Sequence, residues 1–164
     1  MITIEQVETT DQIESVRDLV REFAEYALTL DHEAKKGHAF ADLEKQLAEL
    51  PGIFGPPTGA LLLVSVEGRA AGCAAYFGHD AKVCEVKRMY VKPEFRGLQL
   101  GEKLVQSLIE QARLAGYQKM VLNTFYKLKA AQALYAKFGF AVCSAYIELP
   151  DHRKNEVVFM EREI

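Results

Sequence analysis

Residues 84–115 change their hydrophobic period once, and the change falls on a glycine turn. Upstream, Val83, Val86, Met89, Tyr90 and Val91 make a β-prone run that Pro93 ends. Downstream, Leu100, Leu104, Val105, Leu108, Ile109 and Ala112 recur at helical spacing, and Gly116 supplies a helix stop. A strand therefore hands over to a helix across Arg96-Gly97-Leu98-Gln99-Leu100-Gly101. Glycines there permit positive φ and close approach of a ligand. The first amides of the helix have no intrahelical partner, so the turn offers an anion site, and Arg96 adds a fixed positive charge beside it.

The spacing separates this turn from two common phosphate turns. A P-loop needs Gly-Lys-Ser/Thr, whereas Gly101 is followed by Glu102 and Lys103. A dinucleotide turn needs three glycines in GxGxxG, and two are present. A nucleotide-binding module is accordingly a poor reading.

The remaining chain supplies a frame for this unit. Its 164 residues suit one domain, 1–164, and 49% hydrophobic with 26% charged residues describe a globular chain. A net charge of −3 with interspersed signs argues against nucleic acid as a partner. No basic-then-apolar leader opens the chain, and no apolar run approaches the ~20 residues of a membrane span, so no membrane partner is expected. Cys73, Cys84 and Cys143 are widely spaced and read as reduced core cysteines of a cytoplasmic protein. His32, His38, His79 and His152 pair with no cysteine at ligand spacing, so no metal is expected.

Taken in order, Ile2, Ile4 and Val7 predict a first strand. Thr9, Asp11 and Gln12 open a helix that buries Ile13, Val16, Leu19, Val20, Phe23, Ala27 and Leu30. The polar stretch 31–38 ends at Gly37, and Phe40, Leu43, Leu47 and Leu50 give a shorter second helix. Residues 51–59, with three prolines and three glycines, form a loop. Strands 60–66 and 70–77 flank a Glu67-Gly68-Arg69 hairpin turn, and residues 78–81 turn into the Val83 strand. A strand at 119–123 follows the central helix and should run parallel to the Val83 strand. A helix at 128–137 faces Ala130, Ala131, Leu134 and Phe138 inward, and strands at 140–143 and 156–160 close the chain around a polar turn at 150–155.

The glycine turn resembles the signature of the GNAT superfamily of N-acetyltransferases, Gln/Arg-x-x-Gly-x-Gly/Ala. Arg96, Gly97 and Gly101 fit it, and Gln99 stands where the middle glycine is usual. Farther on, Ala131-x-x-Leu134-Tyr135-x-x-x-Gly139-Phe140 is similar to the family's Ala-x-x-Leu-Tyr-x-x-x-Gly-Phe, while Leu128 replaces a frequent Asn. The element order β-α-α-β-β-β-α-β-α-β-β is also the family's, and the resemblance is strongest over 85–140. It implies an α/β (α+β) GNAT-like fold: a central mixed, mostly antiparallel sheet of about six to seven strands with four helices. It further implies acetyl-CoA as co-substrate. The pyrophosphate would lie on Arg96, Gly97, Gln99, Leu100, Gly101 and Glu102, and the pantetheine arm along the backbone of Met89, Tyr90 and Val91, with the strand edge open beyond Met89, where the two parallel strands splay.

Acetyl transfer needs a neutral amine and a proton for the leaving thiolate. At pH 7 an amine of pKa ~10.4 costs about 4.6 kcal/mol to deprotonate, and an α-amine near 8 about 1.4. Glu85, four residues before Met89 on the same strand, is the candidate base; it is equally open to pairing with Lys87, and ordered water can serve instead. Tyr135 is the candidate acid, by the resemblance and because a phenol can donate to a thiolate. Arg88, Tyr90, Phe125 and Tyr126 are candidates for the substrate mouth. The function this implies is transfer of an acetyl group to a primary amine of a small molecule or peptide, by direct attack in a ternary complex. A non-catalytic acyl-CoA-binding sensor is the alternative. Lys87, on the face of Glu85, suits an acceptor that also carries a carboxylate, and C-terminal edge strands leave room for a homodimer.

Overall fold

The computed structural model describes residues 1–30 and 42–164. The expected break at Gly37, Phe40, and the histidines at 32 and 38 lie outside the described residues. Seven strands form one sheet in the order β1-β2-β3-β4-β5-β7-β6. They are β1 (Ile2–Gln6), β2 (Ala60–Val66), β3 (Arg69–Gly78), β4 (Val83–Val91), β5 (Lys119–Phe125), β6 (Ala141–Val142) and β7 (Val157–Glu163). Every neighbouring pair is antiparallel except β4 and β5, which are joined through the crossover helix. The helices are α1 (Thr10–Leu30), α2 (Leu43–Ala48), α3 (Leu100–Leu114) and α4 (Lys129–Lys137).

Strand alternation divides the core between the two faces of the sheet. Ala60, Leu62 and Val64 of β2 pack with Leu100, Leu104, Leu108 and Ile109 of α3. Leu61 and Leu63 pack on the other face with Val16, Leu19 and Val20 of α1 and with Leu47. Burying each such leucine is worth about 1.5–3 kcal/mol. The start of α1 is a capping box: the Gln12 amide donates to Thr9 Oγ1 at 3.2 Å, and Gln12 Oε1 accepts from the Thr9 amide at 3.0 Å. Glu67 and Gly68 both take positive φ, 48° and 77°, which matches a two-residue turn to the twist of β2 and β3.

Three expectations need correcting. Ala130 is exposed, because α4 turns only Ala131, Leu134, Tyr135 and Phe138 toward the sheet. Cys143 is half-buried rather than core, since it follows the two-residue edge strand β6. β4 and β5 part much earlier than expected: their register ends at Glu85↔Val121.

Candidate active site

The early parting has a local cause. Between the pairs Ala75↔Lys87 and Cys73↔Tyr90, β4 carries one residue more than β3. Arg88 absorbs it with φ 58°, and the Cys73 thiol donates to the Arg88 carbonyl at 3.1 Å. The bulge also exchanges the faces of β4. Cys84 and Val86 point to the α3 side before it, and Met89 and Val91 do so after it. From Val86 onward the β4 edge has no ladder partner on β5, so its backbone donors and acceptors face a widening V.

A cleft of about 1690 Å³ fills this V. One end reaches the turn before α3. There Gly97 takes φ 89° and Gln99 adopts the left-handed conformation (φ 58°, ψ 29°), so glutamine does at this point what the family's glycine does. No side chain caps α3, which leaves its first-turn amides directed at the cleft. Gly101 has a second duty: a Cβ there would lie 3.1 Å from Leu134 Cδ2, so its smallness also lets α3 approach α4. Glu102 is held by Lys137 Nζ at 2.6 Å. Met89, Tyr90, Val91, Arg96, Gly97, Gln99, Leu100, Gly101, Glu102 and Tyr135 all line this one cleft.

Tyr135 is buried with its ring edge-on to Phe140, centroids 5.8 Å apart, and its phenol makes no hydrogen bond to a described residue. Burial pushes its phenol up, so it stays a neutral donor. Leu128, at the start of α4, lines the cleft without capping the helix. Gln132 Nε2 instead ties the preceding loop, donating to the Tyr126 carbonyl at 2.9 Å.

Glu85 is buried and stands behind the cleft wall rather than on it. Its Oε2 lies 3.5 Å from Lys87 Nζ, and its Oε1 lies 3.7 Å from His79 Nε2. The Tyr146 phenol also meets this carboxylate. Burial first, and that contact second, push the Tyr146 phenol up, while Asn123 Nδ2 donates to its oxygen at 3.1 Å. Neither Asn123 nor Tyr146 stood out in the sequence, since the stretch carrying Tyr146 has no period to read.

The opposite end of the cleft is walled by α1, α2 and the loop before β2. Arg88, Tyr90 and Phe125 reach it, and Tyr126 does not. Tyr90 donates its hydroxyl to Glu22 at 2.8 Å. Arg88 donates Nη2 to Gln46 Oε1 at 2.5 Å, while its Nε is buried without a partner among the described residues. Burial lowers the guanidinium from its ordinary value. Among the described residues, no group of three or more His, Cys, Asp or Glu is placed to hold a metal, and no helix is long and apolar enough to cross a membrane.

A sheet opened at its single parallel pair, with an uncapped helix start at one end of the opening, defines an acyl-CoA-dependent transferase. Comparison with known proteins makes the class definite. The acetyltransferase (GNAT) family matches residues 14–140. An uncharacterized N-acetyltransferase of Schizosaccharomyces pombe is 35% identical over 99% of this chain and 95% of its own length. The putative acyl-CoA N-acyltransferase from Klebsiella pneumoniae superposes with a TM-score of 0.70 at 29% identity, covering 99% of this chain and 97% of that one. A GNAT acetyltransferase from Elizabethkingia anophelis, solved with acetyl-CoA bound, shares the fold with a TM-score of 0.68 at 20% identity, covering 99% and 98% of the two chains. The chain belongs to the GNAT acetyltransferase family: by class it is an acetyl-CoA-dependent N-acetyltransferase.

Proposed function

We propose that this chain moves the acetyl group of acetyl-CoA directly to a primary amine of a small molecule or peptide, with both substrates bound at once. The observation that carries the reading is the continuity of one cleft from the α3 start, through the unpaired β4 edge, to the α1–α2 wall. Donor and acceptor can enter it from opposite ends. Bound acetyl-CoA supplies an activated thioester.

The chain's own groups do the rest. The amides from Gln99 to Glu102 and the Arg96 guanidinium hold the pyrophosphate, each helix-end interaction being worth about 0.3–1 kcal/mol. The backbone of Met89, Tyr90 and Val91 pairs with the pantetheine amides as a strand would. As the amine nitrogen bonds to the acetyl carbon, the carbon–sulfur bond breaks; the amine gives up a proton and the departing sulfur takes one. Glu85 accepts the first proton through a water relay past Lys87, since its carboxylate stands behind the wall. Tyr135 serves the sulfur. Because burial raises its phenol, complete transfer from it is uphill; the group hydrogen-bonds the developing thiolate, which takes its proton from water as CoA leaves.

Thiol release from acetyl-CoA, followed over a panel of primary amines, tests this reading. Acceptor-dependent release supports it. Calorimetric binding of acetyl-CoA with no release for any amine makes the chain a sensor instead.

A further inference from the structure

Two neighbouring cations of β4 line the cleft, and they are paired differently. Lys87 is compensated by Glu85 at 3.5 Å, so it is a poor anchor for an incoming anion. Arg88, the next residue, has no ion-pair partner among the described residues, and its Nε is buried without a hydrogen bond to any of them. The nearby carboxylate of Glu22 is engaged by the Tyr90 hydroxyl at 2.8 Å and by Lys92 at 3.8 Å. Among the described residues, Gln46 is the side chain that hydrogen-bonds the guanidinium, and it offers a neutral oxygen. Arg88 is half-buried, and a guanidinium whose Nε is shut from water in this way is costly unless something pairs with it. Phe23, Phe54 and Phe77 line the same cleft, and apolar walls of this kind strengthen any pair formed inside it.

From this geometry we infer that Arg88 is the anchor for an acceptor carboxylate, so that the acceptor is a small primary amine that also carries a carboxylate, as amino acids do. A guanidinium matches a carboxylate with two parallel donors, a fit no ammonium offers. Arg88 also sits at the bulge, one residue before Met89, where the reading above lays the pantetheine arm. Holding the carboxylate there keeps the amine within a short reach of the thioester carbon. The inference rests on the acetyltransferase reading for its chemistry, but not for its binding.

The experiment has two arms. In the first, thiol release is measured for leucine, leucinamide and isoamylamine with the native chain, Arg88→Gln and Arg88→Lys. The expected result is a kcat/KM for leucine about 10²-fold above that of the other two, from a charge-assisted pair. Arg88→Gln should reduce that ratio to near one at unchanged acetyl-CoA affinity, and Arg88→Lys should restore part of it. Equal rates for all three amines in the native chain, or an equal loss for all three in Arg88→Gln, would overturn the anchor. In the second arm, calorimetry compares N-acetylleucine with N-acetylleucinamide on the chain saturated with CoA. Preference for the acid, lost in Arg88→Gln, supports the anchor even if no amine is acetylated and the transferase reading falls. Equal binding, or none of either, overturns it.

Discussion

Glu85 and Tyr135 differ in what surrounds them, and therefore in how each should respond to pH. Glu85 is tied to Lys87, His79 and Tyr146. Glu85→Gln keeps its shape but cannot accept a proton, so turnover should fall by roughly 10²–10³. Part of the loss should return as pH rises, because more acceptor is then already neutral; a rate profile unchanged from the native chain would remove Glu85 from proton transfer. Tyr135 has a buried phenol raised by desolvation, so it stays neutral across the working range. Tyr135→Phe retains the ring against Phe140, and with it the fold. Its kcat should drop with little change in the calorimetric affinity for acetyl-CoA, and alkaline conditions should not restore it. An unaltered kcat would show that the sulfur leaves without help from this phenol.

The turn before α3 carries the clearest test among the elements. Gln99 holds a left-handed conformation that costs a non-glycine residue about 1–2 kcal/mol. Gln99→Gly should therefore leave stability equal or slightly higher and acetyl-CoA affinity near native. Arg96→Glu, on an exposed side chain, should weaken affinity without disturbing the fold; calorimetry and thermal melting read the two effects separately. Gly101 is a less clean probe, since a side chain there also presses on Leu134. Much of this element was legible in residues alone. The six buried positions of α3 were spaced at its period, and the motif ending at Gly139-Phe140 announced α4. The bulge was not legible. Val86-Lys87-Arg88-Met89 sets two polar residues between apolar ones, but the run reads only as β-prone, and the extra residue exists only relative to β3. The point where β4 leaves β5 depends on pairing between distant strands, which no local pattern encodes.

At the scale of the whole molecule, buried thiols make stability depend on alkalinity. Burial pushes Cys73 and Cys84 from 9.0 up to about 12, and Tyr76 from 10.0 up to about 12. The fold thus favours their protonated forms. Below about pH 9 both folded and unfolded chains keep those thiol protons, and this stability is fully present. Above it the unfolded chain loses them first, so stability should fall as pH climbs toward 12. Cys73 alone would contribute a slope of about 1.4 kcal/mol per pH unit within that window. Urea unfolding between pH 8 and 11 should show the decline, and Cys73→Ala should flatten it. An undiminished slope in that variant would mean that other groups govern alkaline unfolding. The sheet that shelters these groups is unevenly joined. β5 meets β7 through seven registered pairs, whereas β4 meets β5 through three. The middle of a sheet is ordinarily its stiffest part, yet here the central seam is shorter than every other except the two-pair edge between β6 and β7. Strands β1 to β4 and strands β5 to β7 are two leaves on a brief spine. On the proposed seating of acetyl-CoA, the donor laid along the open edge is a further strand between them, and that reading gives the two leaves their mechanical continuity only while a substrate is in place.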